Sequence, residues 1–263
     1  MIELQDARKA AEYALPLVVR LERDAPPALT DALETAARAV LTLLSDERSS
    51  CGDGFEGDDG FEGVEGRDGF EEGESDGSEG SEGSDGSEGE WARAVRLWEK
   101  RGIRKVVRRA RGAEWRRAEA LPGITVTGGT ASVRVFPPVP VDAWPKDLAR
   151  LQVSGTELSD VHPPAPPAAG TPVLWTAPDL EMSAGKAMAQ AAHGAQLAWW
   201  ELPPGARADW AATGFALAVR RTPGRAEWEQ LVRSGLPVVR DAGHTEIAPG
   251  TCTVIAAHPA LRR

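Results

Sequence analysis

Apolar and polar positions alternate along this chain in a way that predicts the same order of elements twice. Leu15 to Leu21 is dense in Leu and Val and reads as a strand, whereas Leu29 to Leu44 returns its apolar residues at helical intervals. A second helix is expected over Trp91 to Lys100, a strand over Ile103 to Ala110 and a helix over Ala113 to Ala120. Two short strands, Ile124 to Val126 and Ser132 to Phe136, flank a Gly-Gly turn. Further on, strands are expected near Val173 to Thr176, Ala216 to Arg220, Val238 to Arg240 and Thr251 to Ala256, with helices near Ser183 to Trp200 and Ala226 to Ser234. Each half is a βααβαββ unit, so the expected class is α/β.

A direct sequence repeat agrees with this division. Trp98, Gly102, Arg108, Arg109, Gly112, Glu114, Trp115, Leu121 and Pro122 match, with small gaps, Trp210, Gly214, Arg220, Arg221, Gly224, Glu227, Trp228, Leu236 and Pro237. The expected domains are residues 1–140 and 171–263. The connector at 141–170, with its His162-Pro163-Pro164-Ala165-Pro166-Pro167 run, should be extended.

Within the first unit, about 46–90 is almost wholly Gly, Ser, Asp and Glu, too poor in apolar side chains to offset the entropy of ordering it. It is expected to be a disordered loop, either a tolerated surface insertion or an acidic docking segment. This insertion also changes the meaning of the net charge of −10: it carries 18 acidic against 2 basic residues, so the remainder is basic, at +6. No apolar run is long enough to span a bilayer, and the first residues lack the pattern of a secretory signal, so no membrane association and a cytoplasmic location are expected. Cys51 and Cys252 have no metal-ligand spacing, and neither a metal nor another cofactor is expected.

Two segments carry candidate chemistry. In DLEMSAGKAMAQAAHGAQLAWW, Ser183 suits an N-cap, and Lys186, Gln190 and His193 at i, i+4 and i+7 share one helical stripe. A lysine in the first turn meets the positive helix end, which makes the spot attractive to a phosphate; a solubilising lysine and a structural histidine are the alternatives. In VVRDAGHTEIAPGTCTVIAAHP, a strand delivers Asp241 to a turn, Thr245 follows in the loop, and Thr251 and Thr253 share a face of the last strand. Asp241, Thr245 and Thr253 either ring a small site or serve as turn and capping residues.

Together these segments, GKAMAQAAHGA from Gly185 and DAGHTEIAPGTCT from Asp241, resemble the helix and loop motifs of type II peptidyl-tRNA hydrolases. The resemblance implies a mixed four-stranded sheet with flanking helices and hydrolysis of the ester joining a peptide to tRNA. It places the family's functional lysine, glutamine, aspartate and two threonines on Lys186, Gln190, Asp241, Thr245 and Thr253. No Gly-x-Ser-x-Gly elbow occurs, so direct attack by water is expected, without a metal. His193, His244, Arg220, Arg104, Lys105 and Arg108 are the expected substrate contacts.

Laid over that site, the first unit is degenerate. Its lysine position falls on Thr30 or Leu33, its aspartate position on Val126, and its loop shrinks to Thr127-Gly128-Gly129. The basic stretch from Lys100 to Arg117 is expected either to help hold the tRNA backbone or to form a solvated face, with the first unit packed on the second as an intrachain pseudo-dimer. A tRNA-binding protein without catalysis and an adaptor acting through the acidic loop are the competing readings.

Overall fold

The computed structural model describes residues 12–50, 89–243 and 246–261. The first unit contains β1 (Tyr13–Arg20), α1 (Leu29–Leu44), α2 (Glu90–Glu99), β2 (Lys105–Ala110), α3 (Gly112–Glu119), β3 (Ile124–Thr127) and β4 (Ser132–Val135). Its strands lie in the order β2-β1-β4-β3, with β1 parallel to β2 and antiparallel to β4. Residues 14–19 of β1 are buried, as a central strand covered on both faces requires.

After β5 (Val139–Pro140) and α4 (Lys146–Ala149) come β6 (Val173–Thr176), α5 (Ala184–Glu201), α6 (Pro204–Ala212), β7 (Ala218–Arg221), α7 (Arg225–Val232), β8 (Val238–Arg240) and β9 (Cys252–Ala257). The second sheet runs β7-β6-β9-β8, and its parallel and antiparallel pairings repeat those of the first. The duplication extends to single bonds. Trp98 Nε1 donates to the Arg104 carbonyl at 2.8 Å and Trp210 Nε1 donates to the Ala216 carbonyl at 2.9 Å, each six residues on. Both indoles are buried, and Gly102 and Gly214 between them share the left-handed backbone that makes this return possible.

The units differ from the simple expectation in two places. Strand β5 adds a fifth strand to the first sheet by pairing Tyr13 with Pro140 and Ala14 with Val139. The connector is not extended throughout, because α4 and Leu151 fold over the outer face of the first sheet against Val18, Trp115 and Ala118. Trp228, which the repeat aligns with Trp115, lacks such a cover and is half-buried.

Helix α5 is buried on more than one side, which explains why it is rich in alanine rather than cleanly two-faced. One side meets its own sheet so closely that a Cβ on Gly194 would stand 2.7 Å from Val254 Cγ1. Another packs against α1, and a single apolar cluster runs through Leu41, Val107, Met188, Ala191 and Val254. Glu34 of α1 also reaches the free edge of the second sheet, accepting from Val219 N at 3.0 Å and Arg220 Nη1 at 2.8 Å. Among the described residues, no helix is long and apolar enough to cross a membrane.

Candidate active site

The Ser183 hydroxyl caps α5 by accepting from Lys186 N, and its own backbone N–H and hydroxyl donate to Glu246 Oε1 at 3.1 and 2.9 Å. This carboxylate ties the loop after β8 to the positive end of the helix, a contact with no signal in the local sequence pattern. The β8–β9 ladder is irregular between Val239 and Arg240, and that irregularity brings Asp241 out of the strand toward α5. Asp241 N then donates to the Thr251 carbonyl at 2.9 Å, and Gly250 N donates to the Asp241 carbonyl at 2.7 Å, which closes the loop on itself. Gly243 has a φ of +80°, and a Cβ there would strike the ring of Pro249, so the turn admits only glycine.

Four candidate side chains converge on this loop. The Lys186 ammonium pairs with Asp241 Oδ2, which also accepts from Gln190 Nε2 at 2.7 Å. Asp241 Oδ1 accepts from Gly243 N at 2.8 Å. Thr253 Oγ1 donates to Gln190 Oε1 at 2.6 Å, so the Gln190 amide is held with its nitrogen toward the carboxylate. Thr253 is 0% exposed, behind Gln190, and it orients the amide rather than meeting solvent. Thr245 and His244 lie outside the described residues.

Lys186, Gln190, His193 and Asp241 line a cleft of about 1040 Å³ whose opposite wall comes from the first unit, including Tyr13 and Arg104, and from Trp144 of the connector. The cleft therefore lies between the units. Among the described residues, no group of three or more His, Cys, Asp or Glu side chains is placed to hold a metal ion. The arrangement can hold an anion or a polarised carbonyl beside Lys186 and align a water by means of Asp241.

The expected substrate contacts divide by location. Arg104 stands at the cleft wall, partly exposed, 3.4 Å from Glu12. Lys105, expected at the RNA surface, is instead buried: β-strand alternation turns it toward α5, where Nζ donates to Gln196 Oε1 at 2.5 Å and lies 3.1 Å from His193 Nδ1. Burial draws its pKa well below the usual lysine value, opposed by the charge of Glu99. Arg108 points the other way, stacks 4.4 Å over Trp144 and donates to the Leu151 carbonyl, which commits it to the connector. Arg220 is engaged by Glu34 and donates to the Ala165 carbonyl at 2.7 Å, so its role in this structure is to join the units. His193 is held well below the ordinary histidine pKa by burial first and then by the charges of Lys105 and Lys186. Gln196, outside both sequence motifs, continues the Lys186 stripe by one more turn and supplies an acceptor for Lys105.

In the first unit the corresponding helix does not offer Thr30 or Leu33 to the β3–β4 loop; it offers Asp31. That carboxylate accepts from the backbone of Gly129, Thr130 and Ala131 and from the Thr130 hydroxyl. Asp31, Thr35 and Arg38 repeat the i, i+4, i+7 spacing of the α5 stripe, and a Cβ on Gly128 would collide with Asp31 and Thr35. Thr30 is bonded instead to Asp160 of the connector, its hydroxyl donating at 2.6 Å. This end of the first unit is filled by its own side chains.

Comparison with known proteins places the second unit. The family described as peptidyl-tRNA hydrolase PTH2 matches residues 173–263, which include all four converging side chains. A protein of Haloquadratum walsbyi named peptidyl-tRNA hydrolase is 38% identical over 87 residues, 31% of this chain and 78% of that one. A protein of Aeropyrum pernix with the same name is 39% identical over 98 residues, 32% of this chain and 79% of that one. Identity at this level over more than three-quarters of each relative, together with the family match over residues 173–263, shows that the chain belongs to the peptidyl-tRNA hydrolase PTH2 family.

Proposed function

We propose that this chain hydrolyses the ester bond of peptidyl-tRNA, releasing peptide and free tRNA, with the cleft between its two units as the active site. The observation that carries this reading is the convergence of Lys186, Asp241 and Gln190 on that cleft, with Thr253 bonded behind Gln190. The ester is already activated, so its cleavage needs a positioned water and stabilisation of one developing oxyanion. Asp241 orients the water and takes its proton. Lys186, bonded to Asp241, offsets the negative charge that builds on the attacked carbonyl oxygen. Gln190 holds water and substrate, and Thr245 adds a hydroxyl from the loop. These steps use only the chain's own groups, with no metal.

The first unit serves as a built-in partner, an intrachain pseudo-dimer mate, and the packing of α1 on α5 and the Glu34–Arg220 pair support that reading. Arg104 and its exposed neighbour Arg101 at the cleft wall suit the tRNA backbone, which makes binding weaken as salt rises. The assignment fits a cytoplasmic enzyme of translation.

The test is release of tRNA from an N-acetyl-aminoacyl-tRNA by purified protein in EDTA, for wild type, Lys186→Ala and Asp241→Asn. Removing a general base costs about 10²- to 10⁴-fold, and Asp241→Asn should lose activity on that scale while remaining folded. Full activity in Asp241→Asn would remove its role. Wild-type protein that binds the substrate and leaves it intact would instead make the chain a tRNA-binding protein that keeps the fold.

A further inference from the structure

Lys105 is an unusual lysine: it belongs to the unit without the candidate site, and it is buried against the helix that carries the site. Three acceptors surround its Nζ, the Ile103 carbonyl at 3.4 Å, Gln196 Oε1 at 2.5 Å and His193 Nδ1 at 3.1 Å. An ammonium has three protons for them. Its charge is further matched by the face of Trp98, 4.8 Å away, and by the nearby carboxylate of Glu99, which accepts from Trp200 Nε1 at 3.3 Å. A proton donated to Nδ1 leaves the imidazole's own proton on Nε2. That nitrogen has no partner among the described residues and is not enclosed, and His193 lines the cleft one turn beyond Gln190.

We propose that Lys105 is a positioning residue for the reaction: it fixes His193 as a neutral imidazole whose Nε2–H points into the cleft and donates to an acceptor oxygen of the bound substrate. The proposal rests on the hydrolase reading and deepens it. The degenerate unit then does more than shelter the cleft, because it sets the tautomer of a substrate-binding group on the other unit. Burial, and after it the positive charges of Lys105 and Lys186, keep that group from protonating, so it stays a hydrogen-bond donor without becoming a cation.

Two measurements test this on the full chain. Nitrogen-15 NMR of histidine-labelled wild type reads the tautomer directly, and the His193 resonances should show the proton on Nε2. Steady-state hydrolysis of N-acetyl-aminoacyl-tRNA is then compared for wild type, Lys105→Met, His193→Ala and the double variant. Lys105→Met keeps the volume of the side chain and should lower kcat/KM about tenfold, mainly through KM, as loss of one oriented donor does. The double variant should be no worse than His193→Ala alone, because Lys105 acts through His193. A proton on Nδ1, wild-type kcat/KM in Lys105→Met, or losses that multiply in the double variant would each overturn the proposal. If wild type leaves the ester intact, the hydrolase reading falls by itself, and the same cycle read in Kd for the uncleaved substrate still decides the role of Lys105.

Discussion

Replacing Thr253 with valine exchanges one hydroxyl for one methyl at nearly constant volume, at a site with no solvent to compensate. The hydroxyl has one proton, and the distances say where it goes: Gln190 Oε1 is 2.6 Å away, whereas the Val239 carbonyl is 3.4 Å away. The substitution therefore leaves one buried acceptor, Gln190 Oε1, without a donor, at a cost of about 1–3 kcal/mol. A second effect follows at the cleft. Freed from Thr253, the amide can turn its oxygen toward Asp241 Oδ2, where two acceptors would face each other. A loss of about 1.4 kcal/mol in transition-state stabilisation corresponds to roughly tenfold in kcat/KM. Urea unfolding should therefore show a lowered midpoint with an unchanged slope, and hydrolysis should fall about tenfold. Thr253→Ser is the control: it keeps the donor, loses about 1 kcal/mol for the missing methyl, and should retain activity. A Thr253→Val protein within about 0.5 kcal/mol of wild type and fully active would refute the reasoning, since that is the scatter of an uninvolved surface change.

Asp31 gives a pH-dependent expectation. Burial works to raise its pKa, but the hydrogen bonds from Thr130, Ala131 and Gly129 outweigh it and hold the carboxyl below its ordinary 3.8. A depressed folded value means that its stabilisation is complete above pH 3.8 and is lost as pH falls through the folded value. Asp31→Asn should thus lower the melting temperature at pH 7 and converge on wild type below pH 3.8, as read by thermal unfolding across that range; a gap that persists into the acid range would show that the carboxylate charge is not what holds the β3–β4 loop. Arg220→Met leaves the mostly buried Glu34 carboxylate without its cation and should destabilise the chain by about 1–3 kcal/mol. Activity per folded molecule should be unchanged, and a fall in kcat/KM with unchanged stability would place Arg220 on the substrate instead.

Much of this protein is legible from local pattern alone. Helical spacing placed α1 at the observed Leu29–Leu44, and the Ser183 cap with the Lys186, Gln190 and His193 stripe follows from the geometry of one helix. The repeat of Trp98 and Trp210 anticipated two like units because each indole bonds a carbonyl six residues away, an interaction contained within its own segment. What local pattern could not decide is which side of each unit faces the other. Alternation along β2 separates Lys105 from Arg108, yet only the docking of α5 against that strand makes the Lys105 side an interior and sends Arg108 to the connector. The same docking turns Arg220 from a candidate RNA contact into a partner of Glu34. The register of Asp31 is not legible in the sequence, because the shortened loop it binds lies about 100 residues away, beyond any helical or strand period. Basic residues read alike in a sequence; burial separates them, and burial is set by contacts between segments distant along the chain.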